Sequence, residues 1–219
     1  MGKLIYENAL ASKEDIKGFV LEGQADISFD NKAMRLKNVL DPVEGQRANF
    51  VLWCPVAFPS DISIEWEFRP IREPGLAIMF FAAKGRSGVP ALDESLAKRC
   101  GEYAQYHSGD INAFHVSYFR RKEPDERAFH TCNLRKSYGF HLVAQGADPI
   151  PDASEHSEWY RICVVKNKGH VSFFINDLRI FDFVDDGVSF GDILTGGLIG
   201  FRQVAPLEAE YRNLRVTWI

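Results

Sequence analysis

The sequence lacks most features that mark a membrane, secreted or redox protein. No apolar run near the start is long enough for a signal peptide or a membrane span, so we expect a cytoplasmic protein without membrane contact. The 4 cysteines form no CxxC pair and lie mostly in apolar stretches, which is typical of buried free thiols. Basic residues are not in excess, since the formal net charge is -4, and this argues against a nucleic-acid partner.

Common catalytic and cofactor motifs are missing as well. The chain contains no HExxH, no P-loop, no GxGxxG after a strand and no GxSxG. His107 and Asp110 could bind a metal together, but two ligands are too few for a site. We therefore expect neither a cofactor nor a catalytic metal.

What the sequence does contain is a long series of short strands. With 219 residues, 46% of them hydrophobic, it can form one domain over residues 1–219 with a sizeable core. Every second residue from Ile62 to Phe68 is apolar, which predicts a half-buried strand, and Gly75–Ala83 predicts a central strand buried on both faces. One helix is predicted over Asp93–Gly101. These patterns indicate two packed antiparallel sheets.

The stretch from Tyr106 to His141 is unusually rich in histidine and arginine. It holds His107, His115, His130 and His141 and is predicted to form two strands joined by a charged turn. A sheet face that only met water would more often carry Thr, Ser, Lys and Glu. We therefore interpret this stretch as one side of a ligand-binding groove.

Strand alternation assigns these side chains to faces. Phe114, Val116 and Tyr118 share an apolar face, which predicts that they point into the core. The same reasoning applies to the later strands and assigns six polar residues to the open side, namely His115, Ser117, Arg121, Asn133, Arg135 and Arg202. A one-residue bulge would invert these assignments.

Such a face suits an acidic sugar. Arginine makes bidentate contacts to a uronate carboxylate, and polar planar groups bind hydroxyls. Trp53 or Tyr138 would supply the aromatic plate for the ring, and Asp110 at the rim is included among the substrate-binding residues. Two alternatives remain: an ion-pair network that only stiffens the strands, and a turn in which Asp110 accepts backbone amides.

Two catalytic schemes are compatible with these residues. Glycoside hydrolysis needs a pair of carboxylates, and the sequence offers only the weak pair Glu65 and Glu67. Elimination at a uronate needs a positive clamp and an acid or base. Side chains of these types are present for elimination, namely Tyr106, His107, His115, Tyr118 and Arg135, of which the last four are the predicted catalytic residues. The sequence therefore contains more of the side-chain types needed for elimination than of those needed for hydrolysis.

Motifs along nearly the whole chain resemble the YesU-like family of bacterial jelly-roll proteins. They are FVLWCP, PGLAIMFFAA, YHSGDINAFHVSYFRRK, ERAFHTCNLRKS, GFHLVAQGADP and IGFRQVAP. Tyr138-Gly139 is also similar to the Trp-Gly of galectin sites, and Ser117 stands where those sites have Asn. The resemblance implies a concanavalin/galectin-like fold and a place among proteins that handle pectin fragments such as rhamnogalacturonan. Folds of this kind often carry a structural calcium ion.

We therefore predict an all-β jelly-roll sandwich of two antiparallel sheets with one or two short helices. The predicted function is action on acidic plant oligosaccharides of the pectin type, as a uronate eliminase or a glycoside hydrolase. The alternatives are a non-catalytic lectin-like protein that binds the same oligosaccharide, and a structural or interaction protein.

Overall fold

The computed structural model describes residues 2–155 and 158–219. Short β-strands dominate this part of the chain. In chain order they are β1 (Lys3–Asn8), β2 (Val20–Gly23), β3 (Ala25–Asp30), β4 (Ala33–Asn38), β5 (Phe50–Phe58), β6 (Ile62–Arg72), β7 (Leu76–Gly85), β8 (Ile111–Arg120), β9 (Thr131–Lys136), β10 (His141–Ala147), β11 (Tyr160–Asn167), β12 (His170–Ile175), β13 (Leu178–Val184), β14 (Gly197–Val204) and β15 (Glu208–Trp218).

The strands form two antiparallel sheets, which confirms the predicted all-β fold. The first sheet has 8 strands in the order β13-β12-β11-β6-β15-β4-β3, and β1 pairs with β15 beside this path. The second sheet has 7 strands in the order β10-β9-β8-β7-β14-β5-β2. Many neighbours in these orders are distant in sequence, so the sheets depend on long-range pairing.

The core lies between the inner faces of the two sheets. The apolar residues of β6 point inward as their alternation predicts, and Trp66 donates its indole N–H to the Tyr118 hydroxyl of the opposite sheet at 3.3 Å. Phe68 packs edge-on against the same tyrosine, with ring centroids 5.1 Å apart. Burying one such side chain contributes about 1.5–3 kcal/mol, so aromatic pairing across the sheets is a main source of stability. Strand β7 is buried on both faces over most of its length, also as predicted.

The helical segments are short. They are a 3₁₀ segment (Pro42–Ala48), α1 (Ala104–His107) and α2 (Pro124–Ala128). The helix predicted over residues 93–101 is wrong, because that stretch forms turns. The Asp93 carboxylate accepts the amide of Ser95 at 3.0 Å, and such local bonds compete with helical ones. Among the residues described, none of the helices has the length and apolar character needed to cross a bilayer.

Candidate functional site

Residues 86–110, here called the covering segment, lie over part of the outer face of the second sheet. Val51, Trp53 and Phe80 of the sheet form a buried cluster with Tyr106 of the segment. Trp53 is 0% exposed, and its ring lies 5.6 Å from that of Phe80. The prediction that Trp53 is a stacking plate for a sugar is therefore wrong, because the segment seals it from any ligand.

Polar contacts hold the covering segment in place. Arg99 donates to both carboxylate oxygens of Glu22, at 3.1 and 2.6 Å, and the Tyr106 hydroxyl donates to the same carboxylate at 2.7 Å. Gly101 has a φ of +95°, and a Cβ there would collide with the carbonyl of Asn49. The segment therefore packs closely enough that only glycine fits at this point.

The uncovered part of the face contains a cavity of about 290 Å³. It lies where β7 and β9 begin and β8 and β14 end, beside α2. Its lining mixes apolar and charged side chains, namely Gln46, Leu76, Ile78, Tyr103, Ser117, Arg120, Lys122, Glu123, Glu126, Asn133, Arg135, Phe140, Arg202 and Val204. Four of the predicted site residues therefore meet here: Ser117, Asn133, Arg135 and Arg202. Their role in ligand binding stays a prediction.

A bulge in β8 changes which residues face this cavity. Ile78 of β7 pairs with Ser117 and Ala77 pairs with Phe119, so Tyr118 is the extra residue between them. Tyr118 and Phe119 are both fully buried in the core. Tyr118 has no access to the outer face, and its assignment as an acid or base is therefore wrong.

Beyond the bulge the faces are exchanged, so that Arg120 reaches the cavity instead of Arg121. Arg120 donates to Glu126 at 2.6 Å. Arg121 is fully buried and contacts Asp148 at 2.9 Å and Asp152 at 3.1 Å. The prediction that Arg121 faces the groove is wrong, because one inserted residue shifts the alternation by a step.

Two arginines of the cavity have no carboxylate partner in the part of the chain that the structure describes. Arg202 is 1% exposed and donates to the carbonyl of Gly101 at 2.7 Å, while its buried Nε has no hydrogen-bond partner among the same residues. Arg135 donates to the carbonyl of Phe140 at 2.9 Å. Within residues 2–155 and 158–219, neither lies within 4.0 Å of a carboxylate oxygen. Burial lowers the pKa of both groups, yet a guanidinium stays charged at neutral pH, so the cavity carries uncompensated positive charge.

A chain of three hydrogen-bonding side chains runs from Tyr103 in the cavity lining to His115 and Ser137 behind it. The prediction that His115 lies on the open groove is wrong, because its side chain is fully buried behind Tyr103. The Tyr103 hydroxyl lies 2.6 Å from Nε2 of His115, and Nδ1 of His115 lies 2.8 Å from the Ser137 hydroxyl. Burial lowers the pKa of His115 well below its usual value, and Arg135 and Arg202 lower it further. Burial also raises the pKa of Tyr103 to about 12. Both rings are therefore neutral at neutral pH.

His107 and Asp110 lie outside the cavity lining. The His107 ring packs against Tyr103, with centroids 4.8 Å apart, and against Phe140 at 4.7 Å, so it supports the wall from behind. Asp110 is exposed and accepts the amide of Ala97 at 2.9 Å. This contact matches the alternative in which Asp110 stabilises a turn, and it gives no support to a role in substrate binding.

Tyr138 is also outside the cavity, where the guanidinium of Arg86 lies 3.6 Å from the centroid of its ring.

Sequence reasoning missed three residues of the cavity lining, namely Gln46, Tyr103 and Arg120. Gln46 accepts the amide of Tyr103 at 3.2 Å and lies 3.5 Å from Nη2 of Arg202, so it joins the 3₁₀ segment to the wall. Tyr103 comes from an irregular segment that has no strand period, and only a recognised bulge would have pointed to Arg120.

No group of three or more His, Cys, Asp or Glu side chains in the described ranges is arranged to hold a metal ion. The side-chain amide of Asn133 is tied to its neighbours instead: its oxygen accepts from Arg120 Nη1 at 3.0 Å, and its NH2 donates to the carbonyl of Cys132 at 3.2 Å. The polar floor of the cavity is thus held in a fixed arrangement by side chains of the second sheet.

Comparison with known proteins places this architecture in a family. The model of a family described as "Domain of unknown function (DUF1961)" matches residues 3–216. The uncharacterized protein YesU of Bacillus subtilis (strain 168) is 52% identical over 215 residues, which cover 98% of this chain and 96% of YesU.

Solved structures have the same fold. A crystal structure of a protein of unknown function with a galectin-like fold from Bacillus subtilis is 50% identical, with a TM-score of 0.95 over 100% of this chain and 98% of that one. The carbohydrate recognition domain of Emp47p is 16% identical, with a TM-score of 0.62 over 99% and 97% of the two chains, and this likeness concerns the fold alone. The chain therefore belongs to the DUF1961 family and has a galectin-like fold.

Proposed function

We propose that the protein binds a uronate-containing oligosaccharide in the cavity of the second sheet. The observation that carries this proposal is the pair of arginines, Arg135 and Arg202, that line one cavity without a carboxylate partner among the described residues. The buried guanidinium of Arg202 is costly unless an anion neutralises it, and a planar carboxylate matches the donors of both arginines. A uronate supplies such a group on a sugar ring.

The rest of the lining suits the ring itself. Leu76, Ile78 and Phe140 offer apolar surface for the C–H face of a pyranose, while Ser117 and Asn133 offer polar groups for its hydroxyls. This division of apolar and polar groups is what a sugar requires, since its faces and its edges differ in polarity. The galectin-like fold and the carbohydrate recognition domain that shares it add support by analogy.

The first ligands to test are oligogalacturonate and rhamnogalacturonan fragments, in line with the resemblance to YesU-like proteins. Of the two cleavage reactions, the cavity offers more of the side chains that elimination needs than of those that hydrolysis needs. Glu126 accepts the backbone amides of Lys122 and Glu123 at 3.1 and 3.0 Å and also pairs with Arg120, so it is already engaged in holding α2. A glycosidase needs two available carboxylates at the scissile bond.

A second candidate is lectin-like binding without turnover. The observation that favours it is the resting state of Tyr103, whose hydroxyl is neutral at physiological pH because burial raises its pKa to about 12. A neutral phenol is a hydrogen-bond partner for a sugar whether or not any bond is broken.

Calorimetric titration with oligogalacturonate tests the proposal. Arg135→Ala should weaken binding about tenfold to a hundredfold, because losing a contact to a charged group costs about 1.5–3 kcal/mol. Arg135 lies 3.9 Å from the centroid of the Phe140 ring. The matched control is Arg86→Ala, since Arg86 is a surface arginine that stacks on an aromatic ring in the same way but lies outside the cavity. The methyl ester of the same oligosaccharide is the ligand control. Equal affinity for acid and ester, or equal effects of the two substitutions, would contradict the proposal.

A further inference from the structure

The hydrogen-bonded chain in the cavity wall has the features of an acid–base device. The Tyr103 hydroxyl, 2.6 Å from Nε2 of His115, belongs to a side chain that lines the cavity. We propose that Tyr103 is the catalytic base that removes the C5 proton of a bound uronate, and that His115 is the positioning residue that receives the phenol proton. This inference rests on the proposed function, because it needs a uronate in the cavity.

Both nitrogens of His115 are occupied, which fixes the direction of the ring. The imidazole is 0% exposed, and Nδ1 lies 2.8 Å from the Ser137 hydroxyl. Ser137 is itself held in place, because its amide donates to the carbonyl of Ala113 at 2.8 Å. A neutral ring that donates from Nδ1 to Ser137 presents a lone pair at Nε2 toward the phenol. A proton acceptor therefore lies directly behind the Tyr103 hydroxyl.

The charges around this pair favour loss of the phenol proton but oppose protonation of His115. The Arg202 guanidinium lies 5.0 Å from the centre of the Tyr103 ring, and the positive charges of Arg202, Arg135 and Arg120 lower the pKa of Tyr103 against the larger effect of burial. Burial lowers the pKa of His115, and the charges of Arg135, Arg202 and His107 lower it further, so the carboxylate of the bound uronate must offset this positive charge before the imidazole takes the proton. The same guanidinium groups would carry the negative charge that develops on the carboxylate when C5 loses its proton.

The reaction moves one proton and two electron pairs. The phenol passes its proton to Nε2 of His115 while its oxygen takes the C5 proton. The C5–H electron pair becomes the C4=C5 double bond, and the C4–O4 bond breaks with its pair on O4. Water protonates O4, and the hydroxide so formed recovers the extra proton from His115 through Tyr103. The products are an unsaturated uronate and a new free hydroxyl, so no oxidant or reductant is required.

The position of the pair also fits the stereochemistry of galacturonate. H5 and O4 of this sugar lie on opposite faces of the ring. A base on the wall that Tyr103 forms therefore leaves O4 on the open side of the cavity, where water supplies its proton.

Two measurements on the full chain test this inference: calorimetric binding of oligogalacturonate, and ultraviolet absorbance of the C4=C5 bond. Tyr103→Phe keeps the ring contacts to His107 and Phe140. It should therefore bind within about threefold of the original affinity, while elimination falls about 10²–10⁴-fold. Tyr138→Phe is the matched control and should change neither, because Tyr138 lies outside the cavity.

A second variant separates positioning from packing. In His115→Gln, Tyr103 must lose its proton to solvent, so the elimination rate should rise about tenfold per pH unit between neutral and alkaline pH. The original protein should show a flat profile over the same range. A Tyr103→Phe variant that still eliminates, or an unchanged profile in His115→Gln, would overturn the inference. Binding without any unsaturated product would also overturn it and leave the proposed function standing, whereas absence of binding would overturn both.

Discussion

His115 is a neutral side chain enclosed by the fold, and the same residue in the unfolded chain is free to take up a proton. Its folded pKa lies well below the usual value because of burial and because Arg135, Arg202 and His107 face it. Below about pH 6.5 the unfolded chain therefore binds more protons than the folded chain at this position. The neutral, buried His115 therefore lowers the free energy of unfolding progressively as pH falls below about 6.5, and it has no such effect above that pH.

This reasoning predicts a pH-dependent difference between two histidine variants. Urea unfolding of the original protein should lose up to about 1.4 kcal/mol per pH unit at this position below pH 6.5. His115→Gln should remove that part of the acid dependence, although it costs stability at every pH. His170→Gln, at a residue whose side chain is 51% exposed, is the control and should leave it in place. Identical slopes in both variants would refute the assignment of a neutral His115.

Individual residues also show where sequence reasoning works. Alternation along one strand places Asn133 and Arg135 on the same side because backbone geometry alone sets that direction, and both line the cavity. Trp53 has the same outward direction, yet it is sealed by a segment distant in sequence. The strand pattern therefore predicts the direction in which a side chain points, whereas the exposure of that side chain depends on which residues pack above it.

At the scale of elements, the bulge in β8 decides which arginine lines the cavity. The apolar run Tyr118-Phe119 is compatible with either one inward and one outward residue or two inward residues. The structure buries both, because the paired strand β7 offers one residue fewer over the same length. A pattern within β8 alone cannot report this, since the mismatch belongs to the pair of strands. Arg120 and Arg121 exchange places as a result.

The covering segment is the element that sequence analysis described least well. Residues 93–101 carry good helix start and stop signals, but the structure forms turns and irregular backbone there, with the Asp93 carboxylate accepting the amide of Ser95. Tyr103, the proposed catalytic base, lies in this segment at a position that no periodic sequence pattern marks. Its position follows from tertiary contacts with Gln46, His115 and Arg202.

Two glycine substitutions in this segment should differ in effect. Gly101 and Gly88 both have positive φ, at +95° and +90°, but a Cβ on Gly101 meets the carbonyl of Asn49 while one on Gly88 meets nothing within 4 Å. Gly88→Ala should therefore cost only the backbone strain, about 1 kcal/mol. Gly101→Ala should cost at least about 1 kcal/mol more in urea unfolding, because the backbone must also move apart.

The same pair of variants tests how the segment supports the site. The Gly101 carbonyl accepts a hydrogen bond from Arg202 at 2.7 Å, so a shift of this backbone moves the guanidinium. Oligogalacturonate binding should weaken in Gly101→Ala and stay unchanged in Gly88→Ala. Equal stability and equal binding in the two variants would show that the contact with Asn49 is easily relieved.

At the scale of the whole molecule, a protein with net charge -4 is proposed to bind a polyanion. Attraction must then come from the local charge of the cavity, because the overall charge is repulsive. Arg120 is neutralised by Glu126, which leaves Arg135 and Arg202 as the main sources of that attraction. Their field acts over a short distance and is sensitive to dissolved ions.

Salt should therefore weaken binding of the acid but not of its ester. The Debye length falls from about 10 Å at 0.1 M salt to about 3 Å at 1 M, so added salt screens the approach of the carboxylates. Calorimetric titrations of oligogalacturonate over this range should show a steady loss of affinity, and titrations of its methyl ester should show none. A salt-independent affinity for the acid would mean that the arginines do not contact its carboxylates.

The covering segment also limits how a long polymer can enter. The cavity lies at one end of the strands, and beyond Tyr103 residues 86–110 occupy the sheet face. We therefore expect the proposed uronate polymer to reach this cavity with a chain terminus, because residues 86–110 cover the sheet face beyond it. Trimming from a terminus releases short pieces of uniform length, whereas scission in the interior of a polymer gives a broad ladder of sizes.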